Sequence, residues 1–233
     1  MLLAIPCVLF VLYYVHVLDN AAWFYNLRAV PQSELAASGV GLLAGCLCAR
    51  LEPQTTGEKL VILVAVGALL LVPYVKPILD PVDLERLADF CPGAVCMQST
   101  PSTCGPASAA TILQSFGIGA SERQLARESF TYRGGTENWY LARALRRRGL
   151  DVEAHIQSPV GSPPTPSIAG VLLRGGAGHF IALMSETADE ITIGDPLKGK
   201  VVIRKALLPE YYHFTGFFLV VRRQLPAEPS THP

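Results

Sequence analysis

The sequence predicts an α+β domain, with N-terminal helices packed on an antiparallel sheet, preceded by an all-α membrane region of three transmembrane helices. Three observations predict it. Only 16% of the 233 residues are charged, against about 25% in an ordinary globular chain, and most of the shortage falls in the first 80 residues. Between Cys104 and Arg148 the apolar residues recur at helical spacing, and from Asp151 onward they alternate as strands do. Glycine and proline clusters separate the segments. The boundaries that follow are a membrane region over 1–78, a connector over 79–96, the α+β domain over 97–224 and a tail over 225–233.

Leu2 to Leu18 is apolar apart from His16 and has no Lys or Arg before it, which favours a membrane helix over a cleaved signal peptide. Trp23, Phe24 and Tyr25 follow as an interfacial aromatic belt would. Leu35 to Ala49 is a second apolar run, with Gly39, Gly41 and Gly45 suited to close helix contact. Leu60 to Val75 is a third, broken by Pro73 and closed by Lys76. The expectation is an integral membrane protein in contact with lipid and with room for a membrane-protein partner. The Arg50 and Lys59 loop and the Cys91/Cys96 pair favour an extracytoplasmic domain. Those two cysteines flank a short loop, where they form a disulfide in an oxidising compartment or stay free in a reducing one. Cys7, Cys46 and Cys48 read as small packing residues.

Pro77 to Asp89 carries two prolines and a short acidic helix. The next helix runs from Cys104 to Phe116, after a lead-in in which Thr103 offers a capping hydroxyl. Gly105 and Pro106 are tolerated only in a first helical turn. Ser121 and Gln124 form a capping box for a second helix, and Glu137 to Arg148 forms a third, stopped by Gly149. Arg146, Arg147 and Arg148 read as a solvated helix end complementing the helix dipole rather than as a nucleic-acid patch. A net charge of zero also argues against a nucleic-acid partner. Strands are predicted over Val152–Ile156, Ile168–Leu173, His179–Ser185, Glu190–Ile193, Lys200–Ile203 and Gly216–Val221, with a short helix over Lys205–Tyr211.

Chemistry concentrates in the stretch Gln98 to Ser108. Cys104 sits at a helix N-terminus, where unpaired N–H groups favour an anion and hence a thiolate. A cysteine nucleophile needs a base and a group to orient that base. His179 begins a strand after a glycine-rich turn, and Asp195 begins the loop after the next strand, so a hairpin or meander puts both at one sheet end. Gln98 offers a side-chain amide beside the Cys104 backbone N–H, as an oxyanion hole requires. No second Cys/His pair at ligand spacing follows Cys91 and Cys96, and the chemistry calls for no metal or organic cofactor.

The order Gln98, Cys104-Gly105-Pro106-Ala107, Gly135-Thr136 opening a helix, Gly178-His179-Phe180 and Gly194-Asp195-Pro196 resembles the bacteriocin-processing (double-glycine) peptidase family. The resemblance covers roughly Met97 to Arg222. It implies a papain-like cysteine peptidase acting on a peptide or protein substrate, with Cys104 as nucleophile, His179 as base, Asp195 as orienting group and Gln98 as oxyanion-hole donor. Unlike the exporters to which such domains are often fused, this chain has its apolar region first and contains no G-x-x-x-x-G-K-S/T loop. The same constellation also suits acyl transfer to an amine, or a catalytically silent domain that binds peptides or a membrane partner.

Overall fold

The structure is a computed structural model that describes residues 12, 17–35, 45–46, 48–50, 55–157 and 162–224. The chain divides into two compact units, Met1–Pro81 and Val82–Pro233.

In the first unit, helix α1 covers Ala22–Arg28 and helix α2 covers Thr56–Leu79. A capping box starts α2: Thr55 Oγ1 accepts from the Glu58 N–H, and the Glu58 carboxylate accepts from the Thr55 N–H, each at 3.2 Å. Among the described residues no helix is long and apolar enough to cross a membrane. The three transmembrane helices and the integral membrane location expected from the sequence are corrected by this finding, the extracytoplasmic placement that rested on them loses its basis, and contact with lipid is not shown. The physical reason is visible in α2, whose uncharged stretch from Leu60 to Val75 rises about 24 Å, short of a hydrocarbon core of about 30 Å. Glu58, Lys59 and Lys76 bound that stretch within the same helix. Most of the other two apolar runs, 2–18 and 35–49, and the tail 225–233 lie outside the described residues.

The second unit is the α+β domain. Helices α3 (Cys104–Ser115), α4 (Glu122–Glu128) and α5 (Asn138–Arg146) come first. Strands β1 (Leu150–Ile156), β2 (Ser167–Leu172), β3 (Gly178–Glu186), β4 (Glu190–Asp195) and β5 (Gly199–Arg204) follow. A 3₁₀ turn over Lys205–Leu207 runs into helix α6 (Leu208–Tyr211), and β6 (His213–Arg223) ends the unit. The six strands form one sheet in the order β1-β6-β2-β3-β4-β5, with every pairing antiparallel. In the connector, the acidic helix read from sequence is a 3₁₀ turn over Leu84–Arg86, started by the Asp83 carboxylate on the Glu85 N–H.

Alternation along the strands sorts side chains into core and surface. Ile181, Leu183, Ile191, Ile193 and Phe218 pack with Leu208 and Tyr212 on one side of the sheet. Helix α3 lies against β3 and β4, and its residues from Cys104 to Leu113 are all buried. Two glycines let α3 pack closely, Gly105 against α5 and Gly194 of β4 against α3. A Cβ at Gly105 would meet Leu141 Cδ1 at 2.8 Å, and one at Gly194 would meet Thr111 Cγ2 at 2.6 Å. Ser108 Oγ also donates to the Phe180 carbonyl at 3.0 Å, pinning the first turns of α3 to the start of β3. The helix-then-sheet arrangement therefore has a mechanical result: the N-terminus of α3 is held beside the end of the β3–β4 hairpin.

The arginine run at the end of α5 is tied down more than a solvated helix end would be. Arg148 makes a two-pronged pair with Glu128 of α4, at 2.6 and 2.9 Å, and Arg146 donates to the Val152 carbonyl of β1. The Glu128 carboxyl is held below its usual range, first by the Arg148 hydrogen bond.

Candidate active site

Cys104 is the first residue of α3 and is 8% exposed. The segment before it turns tightly. Thr103 does not cap the helix with its side chain, as the sequence suggested. Its hydroxyl instead donates to the Thr100 carbonyl at 3.0 Å and accepts from the Thr100 N–H at 3.1 Å, a local turn that competes with capping. Ser102 Oγ donates to the Arg133 carbonyl, joining this turn to the loop before α5.

His179 is the second residue of β3 and Asp195 the last of β4. With Ala182 paired to Gly194, both side chains stand on the same face at the same end of the hairpin. His179 Nε2 and Asp195 Oδ1 are 3.2 Å apart, and both side chains are almost completely buried. With Nε2 engaged, Nδ1 is the ring nitrogen left for Cys104, which is among the groups that raise the His179 pKa. The structure brings His179 and Asp195 into contact and sets the start of α3, with Cys104, near the His179 ring.

Electrostatics follow from that burial. Desolvation alone would lower the His179 pKa, but its interactions with Asp195, which accepts from Nε2–H, and with Cys104 outweigh it and raise the value to about 9. Desolvation would raise Asp195, yet the His179 hydrogen bond, the Leu197 N–H and the Tyr212 hydroxyl bring it down to about 2. The arrangement favours an imidazolium at neutral pH.

Gln98 is half-buried. Its backbone N–H donates to the Pro196 carbonyl at 3.1 Å, which ties this segment to the Asp195 turn. Its side-chain Nε2 donates to the Thr100 carbonyl at 2.8 Å, leaving one amide hydrogen uncommitted, while Oε1 is buried with no hydrogen-bond partner among the described residues. Next to it, Ser99 is clamped by the fully buried Glu122 of α4, N–H to Oε1 at 2.7 Å and Oγ to Oε2 at 2.5 Å. Upstream, Cys91 and Cys96 are joined in a disulfide, closing the alternative left open by sequence. The Cys96 N–H donates to Thr111 Oγ1 of α3 at 2.9 Å.

Sequence reasoning missed three residues of this neighbourhood. Tyr212 donates its hydroxyl to Asp195 Oδ2 at 2.9 Å, and Lys198 Nζ lies 3.3 Å from the same oxygen and 4.4 Å from the centre of the Tyr212 ring. Glu122 is the third. Lys198 had a weak signal, its position three residues past Asp195 in a turn. Tyr212 had none, because its approach depends on how the chain returns after β5.

A family model described as the Peptidase C39 family matches residues 94–225, more than half of the chain. The chain belongs to the peptidase C39 family. The resemblance read from the motifs is therefore borne out, and with it the papain-like α+β fold. An uncharacterized protein of Methanothermobacter marburgensis is 31% identical over 130 residues, 56% of this chain and 89% of that protein. The lactococcin-G-processing and transport ATP-binding protein LagD of Lactococcus lactis is 27% identical over 140 residues. That stretch is 58% of this chain and 20% of LagD. Among solved structures, a double glycine motif protease from an AMS/PCAT transporter, in complex with a leader peptide, is 25% identical with a TM-score of 0.48. The match covers 56% of this chain and 91% of that one. The peptidase domain of Streptococcus ComA is 20% identical with a TM-score of 0.46, over 55% and 97% of the two chains.

Proposed function

We propose that this C39 family member is a cysteine peptidase that cleaves a peptide bond through an acyl-enzyme, using Cys104, His179 and Asp195. The observation that carries this reading is the buried His179–Asp195 pair at the end of one hairpin, facing Cys104 at the start of α3. In the resting site the thiol proton resides on His179. The Cys104 sulfur attacks the carbonyl carbon, and the oxyanion is held by the Cys104 N–H and the uncommitted amide hydrogen of Gln98. His179 passes its proton to the departing amine, leaving a thioester on Cys104. His179 then takes a proton from water, the hydroxyl adds to the thioester carbonyl, and the carboxyl product leaves as the ion pair is restored. Asp195 fixes the imidazole and stabilises its charge throughout.

The test has two stages. Cys104→Ala protein, still able to bind, is used to trap peptides, which are then sequenced; a peptide with a leader ending in two glycines is the first to assay directly. With a bound peptide in hand, Cys104→Ala is expected to abolish its cleavage, a loss of about a thousandfold or more. Cleavage at an undiminished rate by that variant refutes the mechanism.

A further inference from the structure

We propose that Tyr212 is a positioning residue that acts through Asp195 to hold the His179 imidazole against Cys104. The inference rests on the cysteine–histidine–aspartate reading above. Each carboxylate oxygen of Asp195 has a buried job. Oδ1 faces His179 Nε2 at 3.2 Å and accepts the Leu197 N–H at 2.9 Å. Oδ2 accepts the Tyr212 hydroxyl at 2.9 Å, with Lys198 Nζ at 3.3 Å. Asp195 is 1% exposed and Tyr212 5% exposed, so no solvent shell stands in for a lost donor. The Lys198 side chain is about half exposed (52%), which makes it a flexible, hydrated partner. Tyr212 is the fixed one. Its ring packs in the core formed by β3, β4 and β6, with Phe214 at 6.3 Å between ring centres.

This geometry determines the orientation of the carboxylate. Two oxygens with opposed donors define the rotation of the group about its last bond. Remove the hydroxyl and Oδ2 becomes a buried lone pair with only a mobile ammonium to satisfy it. The carboxylate then turns towards Lys198, and Oδ1 leaves His179 Nε2. The titratable groups facing His179 are Cys104 from α3 and Asp195 from β4, and those facing Asp195 are Tyr212 and Lys198. Loss of the Asp195 contact therefore has a direct reporter in the imidazole.

Iodoacetamide serves as the probe, with alkylation of the Cys104 peptide followed by mass spectrometry between about pH 4 and 10, and the His179 ring followed by NMR in the same samples. In the full chain, Tyr212→Phe is expected to move the His179 titration downward by about one pH unit or more and to weaken the Nε2–H signature. The Cys104 alkylation profile should shift with it, and the thermal melt should stay cooperative. Lys198→Met is expected to leave both profiles in place. A Tyr212→Phe profile that superposes on wild type overturns the proposal. An upward shift also overturns it, since the hydroxyl then only draws charge from Asp195. A Lys198→Met shift as large as that of Tyr212→Phe assigns the positioning to the lysine instead and overturns it too. Should Tyr212→Phe not fold, 3-fluorotyrosine incorporated into the intact sequence changes phenol donor strength alone, and an unmoved His179 Nε2–H resonance counts against the idea. His179→Ala separates this from failure of the parent reading: if it leaves Cys104 alkylation unchanged, the cysteine–histidine pairing itself is wrong.

Discussion

At Asp195 the sequence supplied one half of an interaction and the tertiary fold the other. Its link to His179 was legible because two strands joined as a hairpin bring a residue at the start of one to the end of the other. The link to Tyr212 was not, because it depends on where α6 delivers the chain before β6. The consequence of the buried pair is a stability that depends on pH. Asp195 has a folded pKa of about 2, below its ordinary 3.8, so its contribution is present above about pH 4 and is lost as pH falls towards 2. His179 has a folded pKa of about 9, above its ordinary 6.5, so its contribution is complete below about pH 6.5 and is lost as pH rises through 9. Thermal melts of wild type should thus be highest between about pH 4 and 6.5, and Asp195→Asn should flatten both slopes, removing roughly 1–3 kcal/mol in that window. Equal slopes in the two proteins would show that the pair carries no such linkage. In a cleavage assay, the same variant is expected to lose about a hundredfold or more in turnover.

Among the elements, α4 does more than its seven residues suggest. Its capping box was readable from Ser121 and Gln124, and both reciprocal bonds are present. What the capping pattern concealed is that the intervening Glu122 turns inward and holds Ser99, the neighbour of Gln98. A glutamate in the first turn of a helix usually reads as a surface residue that complements the dipole, so local sequence offered no reason to bury it. Glu122→Ala would leave the Ser99 N–H and hydroxyl without their acceptor and is expected to cost about 1–3 kcal/mol. If Gln98 supplies an oxyanion donor, the variant also slows acylation of Cys104 by a peptide substrate with little change in peptide binding. Equal losses in binding and in acylation would place Glu122 in the scaffold alone. The other elements followed their periodicities closely. The predicted last strand, Gly216–Val221, extends to His213–Arg223, because antiparallel partners on both sides, β1 and β2, continue the ladder past the apolar residues.

For the molecule as a whole, the change from helical to strand period identified the α+β unit, while composition alone misled about membrane spans, since no described helix is long and apolar enough to cross. A deficit of charge reports burial or lipid equally, and it says nothing of helix length; the apolar stretch of α2 ends before it reaches the length of a span. The strand order β1-β6-β2-β3-β4-β5 was not legible either, since inserting β6 between β1 and β2 is a long-range choice made by packing. That order also has a kinetic meaning. Cys104 belongs to the helical half of the domain, whereas His179 and Asp195 belong to a hairpin of a sheet that is completed by the last strand of the unit. A chain that has formed α3 but not its sheet carries an ordinary thiol with no imidazole beside it. In a pulse of iodoacetamide during refolding, the fast reaction of Cys104 should appear together with the strand signal in circular dichroism; fast reaction before that signal would contradict the coupling. On the proposed mechanism, cleavage would then begin only once the sheet that carries the histidine is closed, which would shield the unfinished chain from its own thiol.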